Sequence, residues 1–215
     1  MAGSNTARQR RDSRGEDARQ AIMDAAETLI GEKGYAGVSL REITGAVGSA
    51  NHSIVNYYFK NKDGLVRAII RDRAEAIDAR RKDLLATLVK RGFERDTRAI
   101  LEAILRPIAE VRNAQGTCSY AAFLLALRVF NDISHWRTIA DSPEMTRNLH
   151  ELLRDSLAPL PADVVDMRFL AAFTVFLVSV VDWDQSRAFS QAVIADRDAY
   201  LQACLDFAAA GMGEA

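Results

Sequence analysis

Cysteine, histidine and proline are scarce in this chain, and net charge is almost absent. Two cysteines, Cys118 and Cys204, lie far apart and form no C-x-x-C pair. That excludes a disulfide scaffold and argues against a structural zinc site. The three histidines, His52, His135 and His150, stand at no ligand spacing, so no metal is expected. With 28 Lys+Arg against 29 Asp+Glu the net charge is −1, so no overall charge selects a polyanion or a polycation as partner. The N-terminus has no apolar segment of the secretory kind. The longest charge-free, apolar-rich run, 169–181, is 13 residues. A bilayer span needs about 20, so the run reads as a buried helix and no membrane partner is expected. Strand-type alternation bounded by hairpin turns is missing, as are internal repeats and low-complexity blocks. So are G-x-S-x-G, the P-loop and G-x-G-x-x-G. Neither an enzyme nor a cofactor is expected, and a reduced, intracellular setting fits the cysteine usage.

What is present is helical periodicity, over a hydrophobic content of 49% that is too high for a disordered chain. Residues 1–16 read as a disordered arm, whose first fourteen residues set Arg8, Arg10, Arg11 and Arg14 against Asp12 alone. Such an arm is either plain solvated terminus or a strip for phosphates. From Asp17, Ile22, Ala25, Ala26, Leu29 and Ile30 mark a helix that ends at Gly34. Ser39-Leu40-Arg41-Glu42 is a capping box opening a short second helix. Asn51 or Ser49 can cap a short third helix with Ile54, Val55 and Tyr58. A long fourth helix runs from about Lys62 to about Lys90, with Leu65, Ile69, Ile70, Ile77, Leu84 and Leu88 inward and Arg71, Arg73, Arg80, Arg81 and Lys82 on a solvated side. A fifth, from about Thr97 to Ala114, contains Pro107 and should kink or break near Arg106. Four more follow: 119–131, 142–157 opened by Ser142-Pro143-Glu144, 162–184, and 191–210. The expected fold class is all-α, with about nine helices: a disordered arm at 1–16, three helices in 17–62, and a helical bundle over 63–215 reached by the long fourth helix.

Two short helices joined through glycines make a helix-turn-helix. Leu40, Ile43, Val47, Ile54, Val55 and Phe59 face inward in such a unit. Asn51, His52, Ser53, Asn56 and Tyr57 are left outward on the second helix, an almost uncharged set that suits base edges and thymine methyls on a major-groove floor. Arg41, Lys60 and Lys62 surround it and, with the helix N-termini at Leu40 and Lys62, suit phosphates. Phe59 is expected inside and Tyr57 outside; Tyr58 is compatible with either.

The stretches Ala18-Arg19-Gln20-Ala21-Ile22-Met23-Asp24-Ala25-Ala26-Glu27-Thr28-Leu29-Ile30, Gly34-Tyr35, Ser39-Leu40-Arg41-Glu42-Ile43 and Asn56-Tyr57-Tyr58-Phe59-Lys60-Asn61-Lys62-Asp63-Gly64-Leu65 together resemble the DNA-binding domain of the TetR family of bacterial transcriptional regulators. The resemblance covers about residues 17–70. The segment Gly48-Ser49-Ala50-Asn51-His52-Ser53 departs from the commonest family turn and is one residue longer. The resemblance implies a homodimer, a palindromic double-stranded DNA operator, repression, a small-molecule effector bound in the C-terminal domain, and a cytoplasmic, nucleoid-associated setting. It makes Ser39 and Arg41 phosphate or base contacts, Asn51, His52, Ser53, Asn56, Tyr57 and Tyr58 the recognition surface, and Lys62 a phosphate contact.

The remainder of the chain carries two weaker patterns. Helices 162–184 and 191–210 are more apolar than outer helices should be. Phe176, Leu177 and Val180, with Tyr200, Leu201 and Cys204, are candidates for a self-complementary dimer face, or for interior core. Tyr120, Phe123, Phe130, Asn131, His135 and Trp136, with Phe173, mix aromatics and isolated polar groups as the walls of a ligand pocket do. One wet helix face has the same mixture. The function expected is a sequence-specific DNA-binding regulator, a repressor released by a hydrophobic or amphipathic effector. The alternative is an architectural DNA-binding protein without an effector.

Overall fold

Side chains cap the starts of four of the helices. The computed structural model describes residues 3–49, 53–129, 144–188 and 196–213. Among these there are nine helices and no strand: α1 (Gly3–Lys33), α2 (Leu40–Ala46), α3 (Ile54–Phe59), α4 (Lys62–Arg91), α5 (Thr97–Glu110), α6 (Ser119–Val129), α7 (Glu144–Ser156), α8 (Ala162–Ala188) and α9 (Arg197–Met212). Ser39 and Glu42 close the capping box at α2: the Ser39 amide donates to the Glu42 carboxylate at 2.8 Å, and the Glu42 amide to the Ser39 hydroxyl at 3.2 Å. Asn61, Asp96 and Asp196 cap α4, α5 and α9, each accepting at 2.7 Å from an amide in the first turn.

Several helix ends shift by a few residues from the sequence expectation, and three differences are larger or change the reading. Helix α1 starts at Gly3 rather than Asp17, so the segment expected to be a disordered arm is helical from residue 3. No proline interrupts residues 3–16, and extending an established helix avoids the cost of nucleation. Helix α3 starts at Ile54, not Asn51, with Ser53 at its N-cap position. Helix α5 continues through Pro107 to Glu110 instead of breaking. Ile100, Leu101, Ile104, Leu105 and Ile108 are all buried along it, and that burial offsets the about 3 kcal/mol of an interior proline.

One hydrophobic cluster runs through the whole fold. Ile22, Met23, Ala26 and Ile30 of α1 join Ile43, Val55 and Phe59 of the next two helices, Leu65, Val66 and Ile69 of α4, and the bundle beyond. Helix α1 packs on α6, α4 and α2; α8 packs on α9 and α6; α5 packs on α4, α9 and α7. Glycine permits the close approach of α1 to α6. A Cβ on Gly31 would stand 3.1 Å from the Ala122 Cβ and from the Phe123 backbone nitrogen. Polar groups reinforce the same contact: Glu27 of α1, only 2% exposed, accepts from the Arg73 Nε of α4 at 2.7 Å and from the Ser119 hydroxyl of α6.

The expectation that the α4 arginines form a solvated side fails at two positions. Arg73 crosses to Glu27 and Asp24, and Arg81 is buried. The long helix has different neighbours along its length, so one apolar stripe does not describe its buried side. Helix α8 is also longer than its charge-free run. The helix over Ala162–Ser186 is long and apolar enough to cross a membrane by length and composition, an 18-residue stretch of it having a mean hydropathy of 2.1, although α6 and α9 pack against it here.

Candidate nucleic-acid interface

The turn between α2 and α3 is made by backbone. Gly48, at φ +67°, donates to the Gly45 carbonyl at 3.0 Å, and the Ser49 amide donates to the Thr44 carbonyl at 3.0 Å. A positive φ is easily reached there only by glycine. Ile43 and Val55 are fully buried on the two facing helices and Phe59 nearly so, which fixes α3 by its inner side. The Arg19 guanidinium of α1 lies 5.5 Å from the centroid of the Phe59 ring and covers it.

With Val55 and Phe59 inward, Ser53, Asn56 and Tyr57 are exposed, as the sequence pattern expects. Tyr57 is 81% exposed, far beyond what an aromatic ring does for stability. Tyr58 is half-buried and meets Tyr57 edge-on, with ring centroids 5.0 Å apart. Arg41 and Lys60 are exposed on either side. Asn51 and His52 lie outside the described residues. Ser39 is exposed, but its hydroxyl serves the cap of α2, and Glu42 is held below the usual carboxylate range chiefly by the Ser39 backbone amide.

Lys62 is placed differently from its expected role as a phosphate contact. Its ammonium donates to the Tyr35 and Val38 carbonyls and sits 4.1 Å from the centroid of the Tyr35 ring. The Tyr35 hydroxyl in turn donates to Asp63. Burial pushes the Lys62 pKa down. The side chain therefore ties the segment entering α2 to the start of α4. Tyr35, which enters the sequence reading only through the Gly34-Tyr35 pair of the resemblance and with no role of its own, is the residue that organises this tie. No local pattern signals it, because its partners are 27 and 28 positions away.

In the C-terminal bundle the expected pocket residues Tyr120, Phe123 and Phe173 are all buried, and Tyr120 and Phe123 stack at 5.9 Å. Phe130, Asn131, His135 and Trp136 lie outside the described residues. The Tyr120 phenol is raised by burial and lies near a polar group absent from the sequence-based candidates, the guanidinium of Arg81. Arg81 donates to Thr146 Oγ1 at 2.7 Å, to Asp78 Oδ1 at 3.1 Å, and to the Ile104 carbonyl from two nitrogens at 2.8 and 3.2 Å. The Thr146 hydroxyl also donates to Asp78 Oδ1 at 2.8 Å.

Most of the expected dimer residues are interior instead. Phe176, Leu177, Val180 and Leu201 are buried within one chain, while Tyr200 and Cys204 are half-buried. They sit on the sides of α8 and α9 that face the bundle, because a helix apolar nearly all round gives no sign in sequence of which side meets its own core. The outward apolar residues are Val175, Val178 and Met167 of α8 and Phe207 of α9.

Comparisons with known proteins match this architecture. Residues 22–69 match the family model described as bacterial regulatory proteins, tetR family. No curated protein sequence matches the chain. A solved structure assigned to the tetR family of transcription regulators, from Shewanella sp. PV-4, is similar over 89% of this chain and 95% of that one, with a TM-score of 0.60 at 16% identity. The TetR family transcriptional regulator PfmR from Thermus thermophilus is similar over 88% of this chain and 97% of that one, with a TM-score of 0.51 at 18% identity. At these identities the structures show a shared fold, and the sequence match adds the N-terminal domain. The helix-turn-helix segment within residues 22–69 thus resembles the tetR family of bacterial regulatory proteins, and it is set in a fold shared over most of the chain with solved structures of that family.

Proposed function

We propose that this chain is a sequence-specific DNA-binding repressor that acts as a homodimer and is released by a small amphipathic effector. The observation that carries the DNA reading is the outer side of α3: Asn56 and Tyr57 stand exposed on a helix anchored by buried Val55 and Phe59, with Arg41 and Lys60 exposed around them. In a major groove, Ser53, Asn56, Tyr57 and Tyr58, together with Asn51 and His52 that precede them in sequence, read base edges. Arg41 and Lys60, with the arginine-rich start of α1, meet phosphates, so binding falls steeply with salt.

Two copies reading a palindrome need a shared face. Val175 and Val178, 38% and 39% exposed on α8, and Phe207 on α9 supply apolar surface for it. The effector acts by favouring one arrangement of the bundle over another, and a near-complete switch takes about 5.5 kcal/mol of differential affinity. DNA binding confines such a protein to the cytoplasm, on the nucleoid.

A gel-shift titration against the DNA flanking the native gene, at two salt concentrations, tests the reading. Binding is expected to exceed that of random DNA and to weaken with salt. Equal affinity for both DNAs overturns the operator assignment. Sedimentation of the wild type beside Val175→Asp tests the dimer: a wild-type monomer, or an undisturbed variant dimer, removes that face.

A further inference from the structure

The helix-turn-helix part of the chain divides its cations into two sets. Residues 15–75 hold eight Lys and Arg. Four are spent inside the protein: Arg19 on Glu16 and the Phe59 ring, Lys33 on Glu42, Lys62 on the Tyr35 and Val38 carbonyls, and Arg73 on Glu27 and Asp24. The side chains of the other four, Arg41, Lys60, Arg67 and Arg71, are exposed and have no partner among the described residues. Arg41 and Lys60 flank α3. Arg67 and Arg71 stand on α4, and their placement separates them from an ordinary solvated face.

Arg67 and Arg71 come three and seven positions after Gly64, so all three share one face of α4. That face begins against the end of α3: a Cβ on Gly64 would collide with the carbonyl of Phe59, the last residue of that helix. Together with Lys60, which follows Phe59, the two arginines carry positive charge from the C-terminal end of α3 up α4. Arg67 lies about 7.5 Å and Arg71 about 13.5 Å along the axis from Lys62. Leu65, Val66 and Ile69 bury the other side of the same turns, so the strip faces outward. Its acidic neighbours in sequence are engaged elsewhere: Asp63 takes the Tyr35 hydroxyl, and Asp72 pairs with Arg73 at 3.3 Å. Glu75, exposed, closes the upper end.

We infer that Arg67 and Arg71 form a second phosphate-binding strip, which holds the DNA backbone beside the C-terminal end of α3 and adds affinity without sequence preference. The partner follows from the groups. Two guanidiniums about one turn apart offer charge and forked donors, which match phosphate oxygens. A strip that climbs away from α3 meets the wall of a groove rather than its floor, where the base edges lie. The inference rests on the reading of α3 as the helix that enters DNA.

The test uses the full chain and measures affinity for the DNA flanking the native gene and for a random duplex, by fluorescence anisotropy over a range of salt. Each phosphate contact contributes about 0.9 to the slope of log affinity against log salt. Arg67→Ala/Arg71→Ala is therefore expected to flatten that slope by about 1–2 and to weaken both duplexes alike, keeping their ratio within about twofold. Lys82→Ala/Lys90→Ala removes the same charge from exposed positions farther along α4, beyond a Debye length (about 10 Å at 0.1 M salt) from Arg71, and is expected to change the slope by less than about 0.5. An unchanged slope in the arginine variant, an equal change in the lysine variant, or a loss confined to the flanking DNA overturns the proposal. Should the alanine variant fail to fold, Arg67→Gln/Arg71→Gln is read in the same way. Phosphate-ethylation interference on the wild type and the arginine variant gives a second readout. Phosphates whose ethylation weakens the wild type but not the variant are expected, and identical patterns overturn the strip. Specific binding with an unchanged slope removes the strip alone. Equal binding of both duplexes, with a slope that flattens in the arginine variant, removes the operator reading and keeps the strip; no DNA binding at all removes both.

Discussion

The Lys62 ammonium lies 4.1 Å from the centroid of the Tyr35 ring and donates to the Tyr35 and Val38 carbonyls. A cation at the start of a helix beside a DNA-reading unit invites a phosphate, yet this one is spent inside the protein. Lys62→Ala is therefore expected to lower unfolding stability by about 1–3 kcal/mol through lost carbonyl and ring contacts. Arg41→Ala, at an exposed position, is expected to stay within about 0.5 kcal/mol of wild type while weakening DNA binding. Urea unfolding and a gel shift on both variants check this; a fully stable Lys62→Ala with weakened DNA binding would restore the phosphate role.

Neighbouring aromatics on α3 divide the two jobs of that helix. Tyr57, 81% exposed, is expected to change stability by under about 0.5 kcal/mol on substitution by Ala, while sequence preference in DNA binding falls. Phe59 is buried, and Phe59→Ala is expected to cost about 3–5 kcal/mol. Competition gel shifts with specific and random duplexes, beside denaturant curves, separate the two. A Tyr57→Ala protein that keeps its full preference would remove that residue from base reading.

Glu27 couples three helices through one carboxylate. Glu27→Ala leaves Arg73 with Asp24 as its remaining inter-helix partner and Ser119 without its acceptor, and is expected to cost about 3 kcal/mol. Glu27→Gln keeps an acceptor for Ser119 and should cost less. Denaturation of the two variants checks the order; equal losses would mean that the charge alone matters.

Acid should destabilise the protein through His150. Burial, then the nearby Arg81 charge, lowers its pKa from the ordinary 6.5 to about 4. As pH falls through 6.5 the unfolded chain takes up a proton that the folded chain refuses until about 4. Stability is therefore lost over that window, by up to about 3 kcal/mol, and no further loss comes from this group below it. His150→Gln is expected to lose less between pH 7 and pH 4 than wild type does. Parallel acid-unfolding curves would count against the assignment.

Much of this fold was legible in the chain because its signals are local. The Ser39–Glu42 box, the Asn61 cap, the glycine-bearing turn and the spacing of Ile43, Val55 and Phe59 each act within a few residues. Together they determined a helical protein with a helix-turn-helix whose Asn56 and Tyr57 face outward. Tertiary structure alone decided where Lys62 and Arg81 spend their charge and which side of α8 is core. Those outcomes depend on partners 20 to 70 positions away, brought close only by packing. A one-dimensional period records that a side chain is apolar or charged, but not which neighbour will meet it.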